Sequence, residues 1–427
     1  MTPLDVDVAA RPGVSGMARA FAARRAADRR RPGQRRDLAL VAFGALQILS
    51  LILLQKLGFP LGGTVAPIIV PLMYAGLAGL LFFAPPKVDF VRIALFTVFV
   101  AAAAYSTVKQ TGVYSSNSLI LVFTIYVLML VRIDITEAGF KKILSVFSDM
   151  MIVIGAVEII QLISQVVFGL DWFPKMDKLV SADYLVPGYV YIQPVLYGLA
   201  YNKPNAFVFL EVSFLAQFLA IALAIELLYF RRTWRLAFYA IAVLVTFAGT
   251  GLLLILVCLP LLIGRVTLRT MFIVVIVGTI LYLVAVQVGW YDMVHMRFFE
   301  YRQENSSSNH RFIQPYLALL NYPRNAPDFF LVGIGPGNIN QGVDVVWWPF
   351  TKTAIEYGYL SAILFYAFVI YSMFRDSPSR RLSFLLLVWY SFMGSLASPV
   401  YPLGCILFST MFRLTGERAR PVRGAPA

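Results

Sequence analysis

The sequence is poor in charged residues, cysteine and histidine. Only 14% of its 427 residues are Asp, Glu, Lys or Arg, whereas soluble domains average about 25%. The two cysteines, Cys258 and Cys405, both lie within apolar runs, and the two histidines are His295 and His310. This composition excludes a soluble globular chain and a disulfide framework. It also offers no Cys/His cluster for a transition metal, so we expect neither a metal nor a cofactor.

Long apolar stretches dominate the chain instead. Hydrophobic residues make up 59% of the sequence, and several runs have the length of about 17–25 residues that crosses a bilayer. We therefore predict an all-α, polytopic integral membrane protein with about twelve spans. The predicted spans lie near residues 38–55, 65–84, 90–108, 117–131, 143–169, 206–230, 234–249, 251–264, 269–289, 348–373, 382–398 and 401–415. Spans seven and eight are short, which is typical of half-length helices joined by an irregular turn.

The basic residues predict an orientation. The formal net charge is +14, and in a polytopic protein such an excess reflects the preference of cytoplasmic loops for Lys and Arg rather than a nucleic-acid partner. With the N-terminus inside, 26 of the 36 Lys and Arg residues fall in cytoplasmic segments. We therefore expect both termini in the cytoplasm, with a disordered basic tail at 1–36, a single transmembrane domain at 37–416 and a second tail at 417–427. The alternative for the first tail is a clamp on anionic lipid headgroups.

Two long segments are predicted on the outer side. The segment at about 170–205 is rich in aromatic residues and proline, which favours the membrane interface. The segment at 290–347, between spans nine and ten, is the larger and more polar of the two. It carries both histidines, four arginines and a cluster of three glycines: His295, His310, Arg297, Arg302, Arg311, Arg324, Gly333, Gly335 and Gly337.

Charged side chains inside predicted spans are costly and are candidates for function. Glu211 lies about five residues into span six, and Lys352 and Glu356 start span ten at a similar depth. Lys352 and Glu356 are four residues apart, so they share a helix face and would also satisfy each other as a plain ion pair. Glu226 is expected to pair with Arg231 at the inner end of span six. The remaining two acids are Asp149, expected to be a similar inner-end charge, and Glu158, whose role the sequence leaves open.

The arginines of the 290–347 segment suggest a site for an anion. The planar guanidinium group of arginine matches the geometry of phosphate oxygens. Any one of these arginines taken alone is equally well explained as a lipid headgroup contact or a surface charge. Arg311 precedes an apolar stretch that predicts a short interfacial helix, and helix N-termini favour anions. His310 is a general base or a polar surface residue. The glycine-rich run at 333–337 would allow close backbone approach to a ligand.

Several of these patterns together resemble a known family. They are KPNAFVFLEVS at 203–213, GTG at 249–251, SSSNHR at 306–311, GIGPG at 333–337 and EYG at 356–358. In order and spacing they resemble the O-antigen ligase/Wzy-type polysaccharide polymerase family of the bacterial inner membrane. Two positions depart from that family: Val212 stands where Pro often follows the glutamate, and Ala248-Gly249 stands where Ser and Arg often precede Thr-Gly.

The resemblance implies polymerisation of undecaprenyl-diphosphate-linked oligosaccharide repeat units at the periplasmic face, without a metal. Glu211 or His310 would orient or deprotonate the acceptor hydroxyl, and Arg311 is the third expected catalytic residue. The expected diphosphate ligands are Arg297, Arg302, Arg311, Arg324 and Lys352, and the expected supporting residues are Gly335, Gly337, Glu356 and Thr250. Expected partners are the lipid-linked substrate, membrane lipid, a chain-length regulator and a flippase.

Two alternatives remain open at this point. A ligase that transfers finished glycan to lipid A core would have the same architecture. A transporter or flippase for lipid-linked sugar belongs to a different class, and it would place charges at the bilayer midplane and broken helices in both halves. The candidate charges cluster near the outer edge instead, which argues against the transporter. The polymerase is preferred to the ligase because the KPNAFVFLEVSFL stretch at 203–215 looks most like exopolysaccharide polymerases.

Overall fold

The computed structural model describes residues 35–61, 64–110, 114–169, 179–189, 192–195, 201–263, 308–325, 328–340 and 345–415, with a few isolated positions besides. Span nine and both predicted tails lie almost entirely outside these residues. So do Arg297 and Arg302.

The described residues are mostly helical. The helices are α1 Arg35–Leu53, α2 Ile69–Leu80, α3 Phe90–Lys109, α4 Ser116–Val127, α5 Glu137–Phe168, α6 Val212–Ile225, α7 Thr233–Val245, α8 Gly249–Ile263, α9 Gln314–Asn325, α10 Pro349–Tyr357, α11 Tyr359–Phe374, α12 Arg380–Met393 and α13 Val400–Cys405. Wide π turns occur at Glu226–Phe230, Asn309–Ile313 and Ile406–Thr410. The strands are β1 Gly58–Leu61, β2 Thr64–Pro67, β3 Lys87–Val88, β4 Val131–Ile135 and β5 Phe412–Leu414.

Four of the described helices are long and apolar enough to cross a membrane: Arg35–Leu53, Phe90–Lys109, Glu137–Phe168 and Val212–Phe230. Further apolar helices are shorter, and α7 and α8 are among them. Span seven is a short helix, as predicted; span eight is helical from Gly249 to Ile263, and residues 264–270 lie outside the description. The two helices meet at an irregular turn in which Phe247 has a positive φ of 52°.

The all-α prediction missed five short strands. Strands β1 and β2 form an antiparallel hairpin that pairs Gly58 with Pro67. Strand β4 pairs with β3 and, in parallel, with β5, where Ile133 lies opposite Phe412. Strand β2 replaces the start of predicted span two, and strand β5 replaces part of the end of predicted span twelve. Pairing between residues far apart in sequence creates β3, β4 and β5, whereas β1 and β2 form a local hairpin. Apolar run length, on which the prediction was based, identifies neither.

Predicted span ten, at 348–373, is two helices and not one. The chain breaks at Gly358, whose φ is +88°, between α10 and α11. A Cβ there would lie 2.8 Å from the Leu331 carbonyl carbon. Beyond the break, Tyr359 N–H donates to the Phe329 oxygen at 3.1 Å, and Leu360 N–H donates to the Phe330 oxygen at 2.9 Å. The interruption therefore lets residues 329–331 pack against the helix pair.

Glu211 also lies elsewhere than the sequence suggested. Helix α6 begins at Val212, so Glu211 is its extended N-cap residue and not five residues inside a helix. The preceding chain is irregular, and Ala206 and Phe207 have positive φ angles of 50° and 65°. Lys56 Nζ donates to the Phe207 oxygen at 2.7 Å, which anchors this turn to the end of α1.

Helix α3 connects two polar ends of the bundle. Near its start, the buried guanidinium of Arg92 donates to the carbonyl oxygens of Met129, Ser372, Thr410 and Arg375 at 2.8–3.2 Å. Near its end, Ser106 Oγ accepts from Gly333 N–H at 2.9 Å. Fourteen residues of helix separate Arg92 from Ser106, or about 21 Å at 1.5 Å per residue. We call the end of the bundle that holds Arg92 the Arg92 end. The end that holds Ser106 and Gly333 is called the Arg311 end, after the residue described in the next section.

Glu226 is paired differently from the prediction. Its carboxylate accepts from Arg232 Nε at 3.0 Å and from Ser148 Oγ at 2.5 Å. Arg231 is exposed at the turn, with a φ of +56°, and the turn brings Arg232 to the acid instead. Asp149 pairs with Arg235.

Glu158 lies deep in α5 and is fully buried. Neither of its carboxylate oxygens has a hydrogen-bond partner among the described residues.

Candidate functional site

The centre of the site is a contact between Arg311 and Glu211. Arg311 Nη2 and Glu211 Oε2 lie 3.7 Å apart, with side chains only 10% and 13% exposed. Ser213 Oγ donates to the same carboxylate oxygen at 3.1 Å. Thr250 Oγ1 donates to the Ser213 carbonyl at 3.3 Å, so the turn between α7 and α8 supports the start of α6. Two segments that the sequence singled out separately therefore meet here.

Arg311 is held by the chain that leads into α10. The π turn Asn309–Ile313 carries Arg311 just before α9 begins. Trp348 Nε1 donates to the Arg311 carbonyl at 2.8 Å, and Val346 N–H donates to the His310 carbonyl at 3.1 Å. These bonds fix the backbone on either side of the guanidinium's attachment point. Its position is thus set by tertiary contacts more than by the turn itself.

A second ion pair follows directly along the chain. Lys352 Nζ lies 3.4 Å from Glu356 Oε1, with side chains 6% and 1% exposed, as their i,i+4 spacing predicted. Lys352 N–H donates to the Trp348 carbonyl at 2.8 Å. Because Trp348 also binds the Arg311 backbone, the two cations belong to one connected part of the structure.

Glu356 holds the glycine-rich run in place. Gly337 N–H donates to Glu356 Oε1 at 3.0 Å, and Gly335 N–H donates to the Glu356 carbonyl at 3.0 Å. A Cβ on Gly333 would lie 2.2 Å from the Glu356 carbonyl carbon, and one on Gly337 would lie 2.8 Å from Ser115 Cβ. The close approaches of these glycines are to the protein itself. Gly335 and Gly337 therefore act as packing elements that position Glu356 and Lys352.

His310 is on the same turn as Arg311 and is half-buried. Its Nδ1 is buried, and no group in the described part of the chain hydrogen-bonds to it. Arg324 lies within α9, and its side chain is outside the description, as are Arg297 and Arg302 altogether. Of the five predicted diphosphate ligands, the structure thus places the side chains of Arg311 and Lys352.

The sequence did not point to Tyr401. This residue is the second of α13 and is 3% exposed. Its ring packs between Phe214 and Trp389, with centroid distances of 5.0 Å and 4.9 Å. A tyrosine at the start of an apolar helix is ordinary, so its sequence context carries no signal. Only the packing of α13 against α6 reveals it.

Comparison with protein-family models, with curated proteins and with solved structures gave no match for this chain. The described residues contain no group of three or more His, Cys, Asp or Glu side chains arranged for a metal ion.

The arrangement brings two kinds of chemical group, cations and a carboxylate, to the same end of the bundle. Arg311 and Lys352 offer positive charge at the Arg311 end, and Glu211 offers a carboxylate that can accept a proton. The three side chains are largely buried, and charge interactions in such an environment are stronger than in water. An anionic substrate that binds Arg311 would compete with Glu211 for the guanidinium.

Proposed function

We propose that the protein is a polysaccharide polymerase that joins undecaprenyl-diphosphate-linked oligosaccharide repeat units. The observation that carries the proposal is the 3.7 Å contact between Arg311 and Glu211. It brings an anion-binding group and a base together, which a glycosyl transfer from a lipid diphosphate requires. The resemblance of the 203–213 segment to exopolysaccharide polymerases, and of the 306–311 segment to the O-antigen ligase/Wzy-type polymerase family, supports the same reaction.

The chemistry uses the two groups in one step. The acceptor hydroxyl oxygen forms a bond to the anomeric carbon of the donor. The bond from that carbon to the diphosphate breaks, and its electron pair stays on the diphosphate oxygen. The hydroxyl proton passes to Glu211. Arg311, with Lys352, stabilises the negative charge of the leaving diphosphate, an electrostatic effect that commonly dominates such catalysis.

The membrane arrangement of the proposal follows the distribution of basic residues. The chain has about twelve spans in the bacterial inner membrane, with both termini in the cytoplasm. The Arg92 end, with Arg132 and Arg375, faces the cytoplasm. The Arg311 end faces the periplasm, where the lipid-linked substrate is presented. A flippase that delivers the substrate and a chain-length regulator are the expected partners.

Reconstitution tests this function. Lipid-linked repeat units, isolated from cells that lack the protein, are supplied to vesicles containing wild type, Arg311→Ala or Arg381→Ala. The last variant is the control, because Arg381 is an exposed arginine outside the site. We expect chain growth with wild type and Arg381→Ala, and none with Arg311→Ala.

Other outcomes would contradict the proposal. Equal chain growth with Arg311→Ala removes that residue from the reaction. Growth that occurs only when finished glycan and lipid A core are both present identifies a ligase. Movement of the substrate across the vesicle membrane without growth identifies a transporter.

A further inference from the structure

Trp348 connects separate parts of the site through three contacts. It is the N-cap residue of α10, and its backbone is extended. Its indole Nε1 donates to the Arg311 carbonyl at 2.8 Å, and its own carbonyl accepts from Lys352 N–H at 2.8 Å. The ring packs edge-on against Phe392 of α12, with a centroid distance of 5.5 Å. One residue therefore links the backbones of both cations to a neighbouring helix of the bundle.

The local sequence explains why the Arg311 carbonyl takes a donor from outside its own helix. An α-helical carbonyl accepts from the N–H four residues later, and for Arg311 that residue is Pro315. Proline has no N–H, and its ring clashes with the carbonyl four residues before it. The π turn Asn309–Ile313 lies at the same place and also departs from α-helical geometry. The indole of Trp348 supplies the hydrogen bond that Pro315 cannot give.

This hydrogen bond acts on the residue that carries the cation. The closest atoms of Arg311 and Glu211 are 3.7 Å apart, farther than the 2.7–2.9 Å or so of a charge-assisted hydrogen bond. Arg311 Nε is buried and has no hydrogen-bond partner within the described ranges. Side-chain contacts among these residues thus hold the guanidinium loosely. Where it lies is decided by the attachment of its backbone, to which Trp348 contributes.

We infer that Trp348 is a positioning residue for the transfer, because its indole N–H holds the Arg311 backbone so that the guanidinium meets the donor diphosphate together with Lys352. The inference rests on the function proposed above. Trp348 acts through Arg311 and does not itself contact the diphosphate. Its replacement by Phe removes the bond to the Arg311 carbonyl and retains the backbone bond to Lys352.

The neighbouring tryptophan is a matched control. Trp347 is 9% exposed and packs with Ile339 and Ile355. Its Nε1 is buried, but no group in the described part of the chain hydrogen-bonds to it. Trp347→Phe and Trp348→Phe remove the same atoms from adjacent positions. Only the second removes a hydrogen bond to Arg311.

The experiment measures two quantities for wild type, Trp347→Phe and Trp348→Phe. The first is the affinity of the purified protein for undecaprenyl diphosphate, the lipid that the transfer releases. The second is kcat for chain growth in vesicles, per mole of folded protein as judged by thermal unfolding and size-exclusion chromatography. We expect Trp348→Phe to weaken the affinity by about 10-fold, since hydrogen bonds to charged groups contribute at least that much. We also expect it to lower kcat by about 10- to 100-fold, the usual cost of a misplaced group, whereas Trp347→Phe keeps wild-type values.

A double variant tests whether the effect passes through Arg311. In the Arg311→Ala background the guanidinium is gone, so adding Trp348→Phe should cause no further loss of affinity for undecaprenyl diphosphate. A further loss in that background would show that the indole contacts the ligand itself, and the inference would fail.

Other results separate the inference from the function. If Trp348→Phe keeps the affinity and kcat of Trp347→Phe, Trp348 has no positioning role. Equal losses in both variants show that the two tryptophans serve packing alone, which also overturns the inference. If wild type binds undecaprenyl diphosphate but transfers no glycan, the proposed function fails, and the affinities of the two variants still decide whether Trp348 positions Arg311.

Discussion

Arg311 and Glu211 are about a hundred residues apart in the sequence, yet their closest side-chain atoms lie 3.7 Å apart at one end of the bundle. The contact joins the N-cap of α6 to the π turn before α9. Each group compensates the charge of the other while no substrate is bound, which reduces the cost of burying both. This relationship leads to the first prediction.

The first prediction assigns the base. We expect Glu211→Gln to lower kcat by about 10²- to 10⁴-fold, the usual contribution of general acid–base catalysis. His310→Gln should cause the smaller loss, because Glu211 is the group that lies against Arg311. Transfer rates of the two variants at saturating donor provide the measurement. A larger loss in His310→Gln would reassign the base to the histidine.

The second prediction concerns the glycine-rich run. Gly337→Ala places a Cβ at a φ of +82° and 2.8 Å from Ser115 Cβ. We expect a loss of about 1–3 kcal/mol in the free energy of unfolding from the strained backbone. Gly79→Ala is the control, since a Cβ there meets nothing within 4 Å inside α2 and should be neutral or stabilising. Equal unfolding temperatures for the two variants would show that the run is not tightly packed.

The third prediction compares two fully buried glutamates. Glu226 is bound by Arg232 and Ser148, whereas the Glu158 carboxylate oxygens lack hydrogen-bond partners in the described residues. We expect Glu226→Gln to cost about 1–3 kcal/mol, because its partners are left incompletely satisfied. Glu158→Gln should be neutral or stabilising. Thermal unfolding in detergent measures both, and a large destabilisation by Glu158→Gln would indicate a partner for that carboxyl.

The fourth prediction concerns acid stability at the Arg92 end. Burial raises the pKa of Asp376, but the hydrogen bond and charge of Arg132, with the charges of Arg413 and Arg375, outweigh it and lower the pKa overall. A lowered pKa in the folded state means that this stabilisation is complete above about pH 4, the ordinary range of an aspartate. It is lost as the pH falls through the lowered folded value.

Asp376→Asn tests this expectation. Asn tolerates the positive φ of 58° at this position, so the backbone is preserved. We expect the unfolding temperature of the variant to fall less steeply than that of wild type between about pH 4 and pH 2. Glu137→Gln is the control, since the Glu137–Lys141 pair is exposed and contributes little. Parallel pH curves for wild type and Asp376→Asn would contradict the role of this ion pair.

The sequence by itself determined that the chain is helical and suited to a membrane, because apolar content and run length are local properties. Local spacing also predicted the Lys352–Glu356 pair and the short helix α7. These features involve residues within a few positions of one another, so the chain's own geometry decides them.

Only the tertiary structure decided the rest. It placed Glu211 at a helix N-terminus, broke span ten at Gly358, paired Glu226 with Arg232 and packed Tyr401 between Phe214 and Trp389. Near Glu211 and at Gly358 the backbone takes an irregular turn where a distant segment packs, Lys56 in the first case and residues 329–331 in the second. At Glu226 the positive φ of Arg231 ends the helix and brings Arg232 to the acid. Tyr401 depends on which helices are neighbours, and that is set by packing across the whole bundle.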